Sequence, residues 1–388
     1  MRFRHPDGSV VHLGYCTNVH PAEDVDGLVA QVGTVCAEVR EHLGLAELAV
    51  GLWLSAPAAR DLRVGGTERL SAALRDHGLY VVSLNAFPYA AFQGQVVKKR
   101  VYEPDWCDRR RLDYTLDCAR VLTRLVPAGT ERATISTLPL AWRTPWDAGR
   151  AALAQAHLAQ LASALDELAE ETGVRVDVGL EPEPGCVVET TADAVEHLTP
   201  LLRPGLGVCL DTAHLATAFE RADEALPQLL DAGLPVVKAQ LATALHVSDP
   251  EQACAAGELS AFAEDRFLHQ VRVAGGGAEA GCDDLVEALD GSDAPQTHAP
   301  WRCHFHLPVG GAAPLAGTSL QTTLPDLEEA LQALVGGERP VTHHLEVETY
   351  TWSVLPGAGN QGSLSRGIAD ELSWVRERLV SLGLEEAA

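Results

Sequence analysis

Short apolar runs rich in Val, Leu and Ile recur eight times along the chain, and most are followed by a longer amphipathic stretch. No other feature constrains the fold as tightly. A strand that is apolar on both faces must be covered on both, and the crossover helices of parallel βα units do this. The predicted strands are VHLGYCTN (11–18), LAVGLWLS (48–55), YVVSLNAF (80–87), RATISTLP (132–139), VRVDVGLEP (174–182), GLGVCLD (205–211), PVVKAQLA (235–242) and VTHHLEVET (341–349). Several intervening helical stretches end in Gly, as helix C-termini commonly do. Eight such units predict an α/β protein built as a (β/α)8 TIM barrel. The 388 residues exceed the ~250 of an ordinary barrel. The excess falls in a long loop after the third strand and in a segment of about 243–322 after the seventh. No low-complexity linker divides the chain, so 1–388 reads as a single domain with that insertion. Loops of this length usually serve a site.

Composition narrows the function. The formal charge is −25, from 54 acidic and 29 basic side chains. A nucleic-acid partner is disfavoured, because phosphate backbones are bound through clustered Lys and Arg. No apolar run approaches the ~20 residues of a membrane span, and the first residues lack the apolar core of a signal peptide. A cytoplasmic protein without membrane insertion is expected. The nine cysteines follow no CxxC or zinc-ribbon spacing and read as reduced, buried thiols.

In a TIM barrel the chemistry lies at the C-terminal ends of the strands. Strand five ends in GLEPEPG, with Glu181 and Glu183 two residues apart and so on one side of an extended chain. Strand six ends in LDTAH, with Asp211 at the tip and His214 three residues on. Strand eight places His344, Glu346 and Glu348 on one face. Carboxylates directed from several strands into one cavity call for a compensating cation. In CHFHLPVGG, His304 and His306 also share a face, and a fold-back of the insertion over the barrel mouth would bring them to those carboxylates. A mixed carboxylate and imidazole set suits a divalent ion without distinguishing Zn, Mn, Mg, Fe or Co. Bland readings stand beside these: salt-bridged glutamates in the barrel interior, Asp211 as a helix cap, a structural His-x-His. Asn85 and Gln240 are candidate substrate ligands or satisfied core amides. The loop bearing Phe87, Tyr89, Phe92, Lys98, Lys99, Arg100, Tyr102 and Trp106 either closes over a ligand, with Lys98 meeting a phosphate or carboxylate, or is a solvated basic turn. Gly310 and Gly311, which open the GGAAPLAGTS stretch, suggest a lid.

LEPEPG, LDTAH, the imidazole pair after strand seven and the terminal VET resemble the metal-binding strand ends of the xylose isomerase-like TIM-barrel superfamily, which includes sugar isomerases, epimerases and endonuclease IV. GYCTNVHP, NAFPYAAFQGQVVKKRVYEPDW, ISTLPL and HLEVETYTWSVLP more narrowly resemble the EboE family of metabolite-traffic proteins, along nearly the whole chain. By position, the resemblance implies metal ligands Glu181, Asp211, His214, His306 and Glu348, with Glu346 a rival for the last. His304 stands where relatives carry Asp, and Gln240 where many carry a seventh-strand His. The early-strand histidines of the endonuclease have no match, which points to a single-metal site and away from a three-metal one.

The EboE resemblance implies binding or processing of a small metabolite, with a functional link to a membrane export system. The alternative is a metal-dependent sugar or polyol isomerase or epimerase working through an enediolate, with Glu181, Glu348 and His304 as acid–base candidates and Glu183 in reserve if both glutamates bind metal. A metal-dependent phosphoesterase is the third reading.

Overall fold

The computed structural model describes residues 1–90, 93, 96–276, 280–310, 315–356 and 363–387. All eight predicted strands are present: Val10–Cys16, Leu48–Trp53, Leu79–Asn85, Arg132–Thr137, Arg175–Leu180, Leu206–Asp211, Val236–Leu241 and His344–Val347. They pair in parallel in chain order, and the eighth closes on the first, with Leu345 opposite Leu13. Most strands end one or two residues before the apolar run does. The tips leave the regular ladder: Asn18 lies in a 3-10 turn, and Glu181 and Glu348 sit one residue past their strands, each donating its N–H to the neighbouring strand's backbone (2.9 Å to Thr137 O, 3.0 Å to Leu241 O). The residues with the most chemistry therefore stand on the rim.

Alternate residues separate core from interior. Leu13, Val50, Leu52, Leu84, Ile135, Val178, Leu180, Val208, Leu210, Leu345 and Val347 belong to the large buried cluster under the helical layer. Between them runs a small and polar set (His12, Gly14, Gly51, Ser83, Thr134, Gly179, Lys238, Glu346), unlike the branched aliphatic filling usual in such barrels. The helices are capped as their sequence dictates. In Ala148–Thr172, Asp147 accepts from Arg150 N–H at the start, and Gly173, at φ +73°, supplies the left-handed residue that ends it.

Strand seven runs almost directly into a second sheet formed by the segment 243–322. Its antiparallel strands lie in the order Val271–Val273, Trp301–Leu307, Thr243–Val247, Gln321–Thr322. This sheet has its own core of Leu245, Val247, Phe262, Trp301, Cys303, Phe305 and Leu307. Along Trp301–Leu307 the pleat sends Cys303 and Phe305 into that core, so His304 and His306 face the other way, over the barrel mouth. Residues 311–314, part of the predicted lid, and Phe92 lie outside the described residues. All nine cysteines are unpaired, and seven are buried. No described helix is long and apolar enough to cross a membrane.

Candidate metal centre

At the mouth, single donor atoms of three triads lie within 4.8 Å of one another: Glu181, Asp211 and His214; Asp211, His306 and Glu348; His214, His304 and His306. All six residues are buried, at 1–4% exposure. Barrel strands supply the carboxylates, and the inserted sheet supplies two of the imidazoles.

Hydrogen bonds fix the tautomer of each imidazole. His214 Nδ1 lies 2.8 Å from Pro182 O and His306 Nδ1 lies 2.6 Å from Glu348 O, so in each ring Nδ1–H donates to a carbonyl. Gln270 donates its amide hydrogens to Pro184 O (2.6 Å) and Tyr102 Oη (2.9 Å), which leaves its Oε1 to accept from His304 Nδ1 at 2.7 Å. All three Nε2 atoms are thus turned inward, with those of His304 and His306 only 3.2 Å apart. Two lone pairs at that distance repel unless a proton or a cation lies between them. Outer partners that orient a histidine in this way are the usual support of a metal ligand.

The carboxylates are equally incomplete. Asp211 Oδ1 caps the helix Thr212–Thr217, accepting from Ala213 N (2.7 Å) and His214 N (2.9 Å), while buried Oδ2 has no partner. Capping and ligation are therefore compatible in this one side chain. Glu181 Oε2 is also buried and unpartnered. Glu348 Oε1 accepts from Asn18 Nδ2 (2.6 Å) and Asn85 Nδ2 (2.8 Å). Burial, followed by Glu348 and Asp211 for Glu181 and by Asp211 for Glu348, holds both carboxyls well above the usual carboxylate range. Burial lowers His304 strongly and takes His306 to about 4, which keeps both neutral, as ligands must be. For His214, burial opposes the charge, but Asp211, Glu183 and Pro182 O outweigh it and raise its pKa. Orphaned carboxylate oxygens facing inward-turned imidazole lone pairs fit a divalent cation.

Glu183 is in the same cavity but outside the three triads. Its Oε1 accepts from Tyr102 OH at 2.7 Å, and its Oε2 lies 3.3 Å from His214 Nε2. Burial raises its carboxyl, against the pull of His214 and Tyr102.

The other candidates are placed as follows. Glu346 lies deeper, with Lys238 Nζ donating to Oε2 at 2.7 Å and Ser83 Oγ to Oε1, in space that Gly51 leaves open: a Cβ there would fall 2.2 Å from the carboxylate. Of the two strand-eight glutamates only Glu348 belongs to a triad. Asn85 lines the cavity but is already bonded to Glu348. Gln240 is fully buried beside Asp211 in register, does not line the cavity, and has both amide atoms unpartnered. Lys98 lines the cavity, yet its ammonium bonds Asp284 Oδ2 (2.5 Å) and Glu264 O (3.2 Å). Lys99 bonds Asp283 at 2.8 Å, and Arg100 bonds Val96 O, so each of the three cations already has a partner within the chain. Asn18 and Gln270 were missed as site residues, and Tyr102 was named only as a member of the loop that closes over a ligand. Asn18, the polar tip of strand one, carried a readable signal. Gln270 carried none, because an irregular insertion gives no period from which to place it.

The xylose isomerase-like TIM barrel family profile matches residues 36–296. No curated protein sequence matches the chain. Among solved structures, a D-allulose 3-epimerase from Methylomonas sp. in complex with D-allulose shares 12% identity over 95% of this chain and 97% of its own, at a TM-score of 0.49. A xylose isomerase-like TIM barrel protein from Mycobacterium smegmatis in complex with magnesium shares 15% over 98% and 94%, also at 0.49. A probable 3-DHS dehydratase, AsbF, from Bacillus anthracis shares 13% over 94% and 98%, at 0.47. With well over half of its length matched by the family profile, and with the closed eight-stranded parallel barrel in place, this chain belongs to the xylose isomerase-like TIM barrel family.

Proposed function

We propose that the protein is a divalent-metal-dependent isomerase or epimerase of a small hydroxy-carbonyl or polyol metabolite. One observation carries this reading: three imidazoles, each locked with Nε2 inward, face the unpartnered buried oxygens of Glu181 and Asp211. Glu181, Asp211 and Glu348, with His214 and His306, are the residues that would hold the ion. Once bound, such an ion polarises adjacent carbonyl and hydroxyl oxygens and makes the neighbouring C–H more acidic.

The remaining work belongs to the chain. Because Glu181 and Glu348 are committed to the metal, the proton falls to Glu183. Tyr102 fixes its Oε1, and its Oε2 is the atom that takes the proton from carbon. Burial makes it a stronger base than an ordinary carboxylate, which suits a group that must accept and return a proton. Return from the same side to the neighbouring carbon isomerises the substrate; epimerisation would need a second acid on the opposite face of the same carbon. Asn18 and Asn85 hold Glu348 in place throughout.

The test joins elemental analysis of the purified protein with incubation of candidate hydroxy-ketones in deuterated water. Asp211→Asn and His306→Ala should lose bound metal, whereas Glu183→Gln should keep the metal and lose carbon-bound deuterium incorporation. Unchanged metal content in both of the first two would overturn the reading. The EboE resemblance supports a second reading, a metabolite-traffic role for the same site. It names a pathway and no reaction, and binding without any exchange would favour it.

A further inference from the structure

We infer that the substrate of this site is neutral and unphosphorylated, with a hydroxy-carbonyl end toward the metal ligands and an apolar body on its far side. The inference rests on the isomerase reading above and deepens it. The cavity, about 560 Å³ including its open mouth, has two unlike walls. One carries the carboxylates and imidazoles. The other is Phe87, Pro88, Val97, Val101, Phe267 and Leu268. This second wall is built: the loop after strand three is tied to the insertion by Val97 N–H to Arg266 O (3.0 Å), and Phe267 packs edge-on against Tyr350 at 5.0 Å. Val97, Phe267 and buried Trp53 form a separate hydrophobic cluster there. A polyol lying across the cavity would press its distal hydroxyls on carbon, with no partner to replace water.

Charge excludes the phosphorylated forms of such a substrate. Lys98 is the one cation lining the cavity among the described residues, and its ammonium is held by Asp284. The undescribed residues contain neither Lys nor Arg, so they add no cation. A phosphate or carboxylate at the far end would meet an apolar wall.

Three probes that share one hydroxy-ketone test this: dihydroxyacetone, its phosphate ester, and 2-hydroxyacetophenone. Each is titrated calorimetrically into the metal-loaded protein and followed for deuterium exchange by NMR, with inorganic phosphate as the control for direct capture by the ion. The aryl ketone is expected to bind at least about tenfold more tightly than dihydroxyacetone, the order of effect that added apolar contacts give in a hydrophobic pocket. The ester should bind no better than inorganic phosphate. Leu268→Asn, or the milder Val101→Thr, should remove the aryl preference with metal content unchanged. An ester that binds more tightly than both dihydroxyacetone and inorganic phosphate, or an aryl ketone that gains nothing, overturns the inference. If the binding order holds and no probe exchanges deuterium, the isomerase reading fails while the inference stands. Exchange without any aryl preference gives the reverse, and no binding by any probe sinks both.

Discussion

Glu346 and Glu348 lie two residues apart on one face of one strand, and their surroundings differ in kind. The lower carboxylate meets a buried ammonium, a hydroxyl and a glycine that leaves room for it, so every charge at that level is answered from within the chain. The upper one meets two neutral amides and two further carboxylates, and among the described residues no Lys or Arg forms an ion pair with any of the three. The barrel interior thus changes from self-sufficient to dependent within one pleat. Burial of a carboxylate is common to both levels; an unanswered charge is what marks the site.

The contrast is broken most severely by Lys238→Met. An unpaired carboxylate buried at the Glu346 level should cost about 3–5 kcal/mol in urea unfolding, with or without added metal. Glu348→Gln should do the opposite. It should lose stoichiometric metal by elemental analysis while the metal-free protein melts at the same or a higher temperature, since a repulsive charge has gone. Asn85→Leu touches no donor atom of the triads, yet it frees the Glu348 carboxylate, and metal affinity should fall by about 10–100-fold in a chelator competition.

The smallest effect is that of pH. Carboxyls raised by burial at Glu181 and Glu348 bind protons more tightly folded than unfolded, so they stabilise the metal-free protein at low pH and withdraw that stability as pH rises. His304 and His306, lowered by burial, act in the other direction, and their contribution is complete above the ordinary imidazole pKa of about 6.5. At the mouth, above that value, the raised groups act together: the two carboxyls and His214. The metal-free protein should therefore melt a few degrees lower at pH 8 than at pH 6.5, and the stabilisation from added metal should be larger at pH 8. A metal-free melting temperature that rises over that interval would contradict the proposed imbalance at the mouth.

The barrel was legible because each strand is short, apolar and followed by helical periodicity, a pattern that survives without tertiary information. The strand-end carboxylates were legible for a related reason: Glu181, Asp211 and Glu348 interrupt apolar runs where an apolar residue would otherwise continue. What the pattern could not separate was Glu346 from Glu348, since that depends on Lys238, more than a hundred residues away in the chain. Nor could it show that Lys98 is neutralised by Asp284 or that His304 is aimed by Gln270, because both partners lie in the insertion, where irregular backbone carries no repeat. The alternation of Cys303, His304, Phe305 and His306 was readable. The face that met the barrel was not.

The bond between Asn18 and Glu348 spans 330 residues, and the eighth strand closes the barrel on the first. Chains leave the ribosome N-terminal end first, and contacts of such separation form late. A nascent chain stopped before residue 344 would hold Glu181, Asp211 and both inserted histidines, but its first strand would have an open edge and its cluster would lack the last carboxylate. Uptake of an ion at the proposed centre would therefore wait for closure of the barrel. In a pulse-labelled culture it would count finished molecules and pass over those still being made.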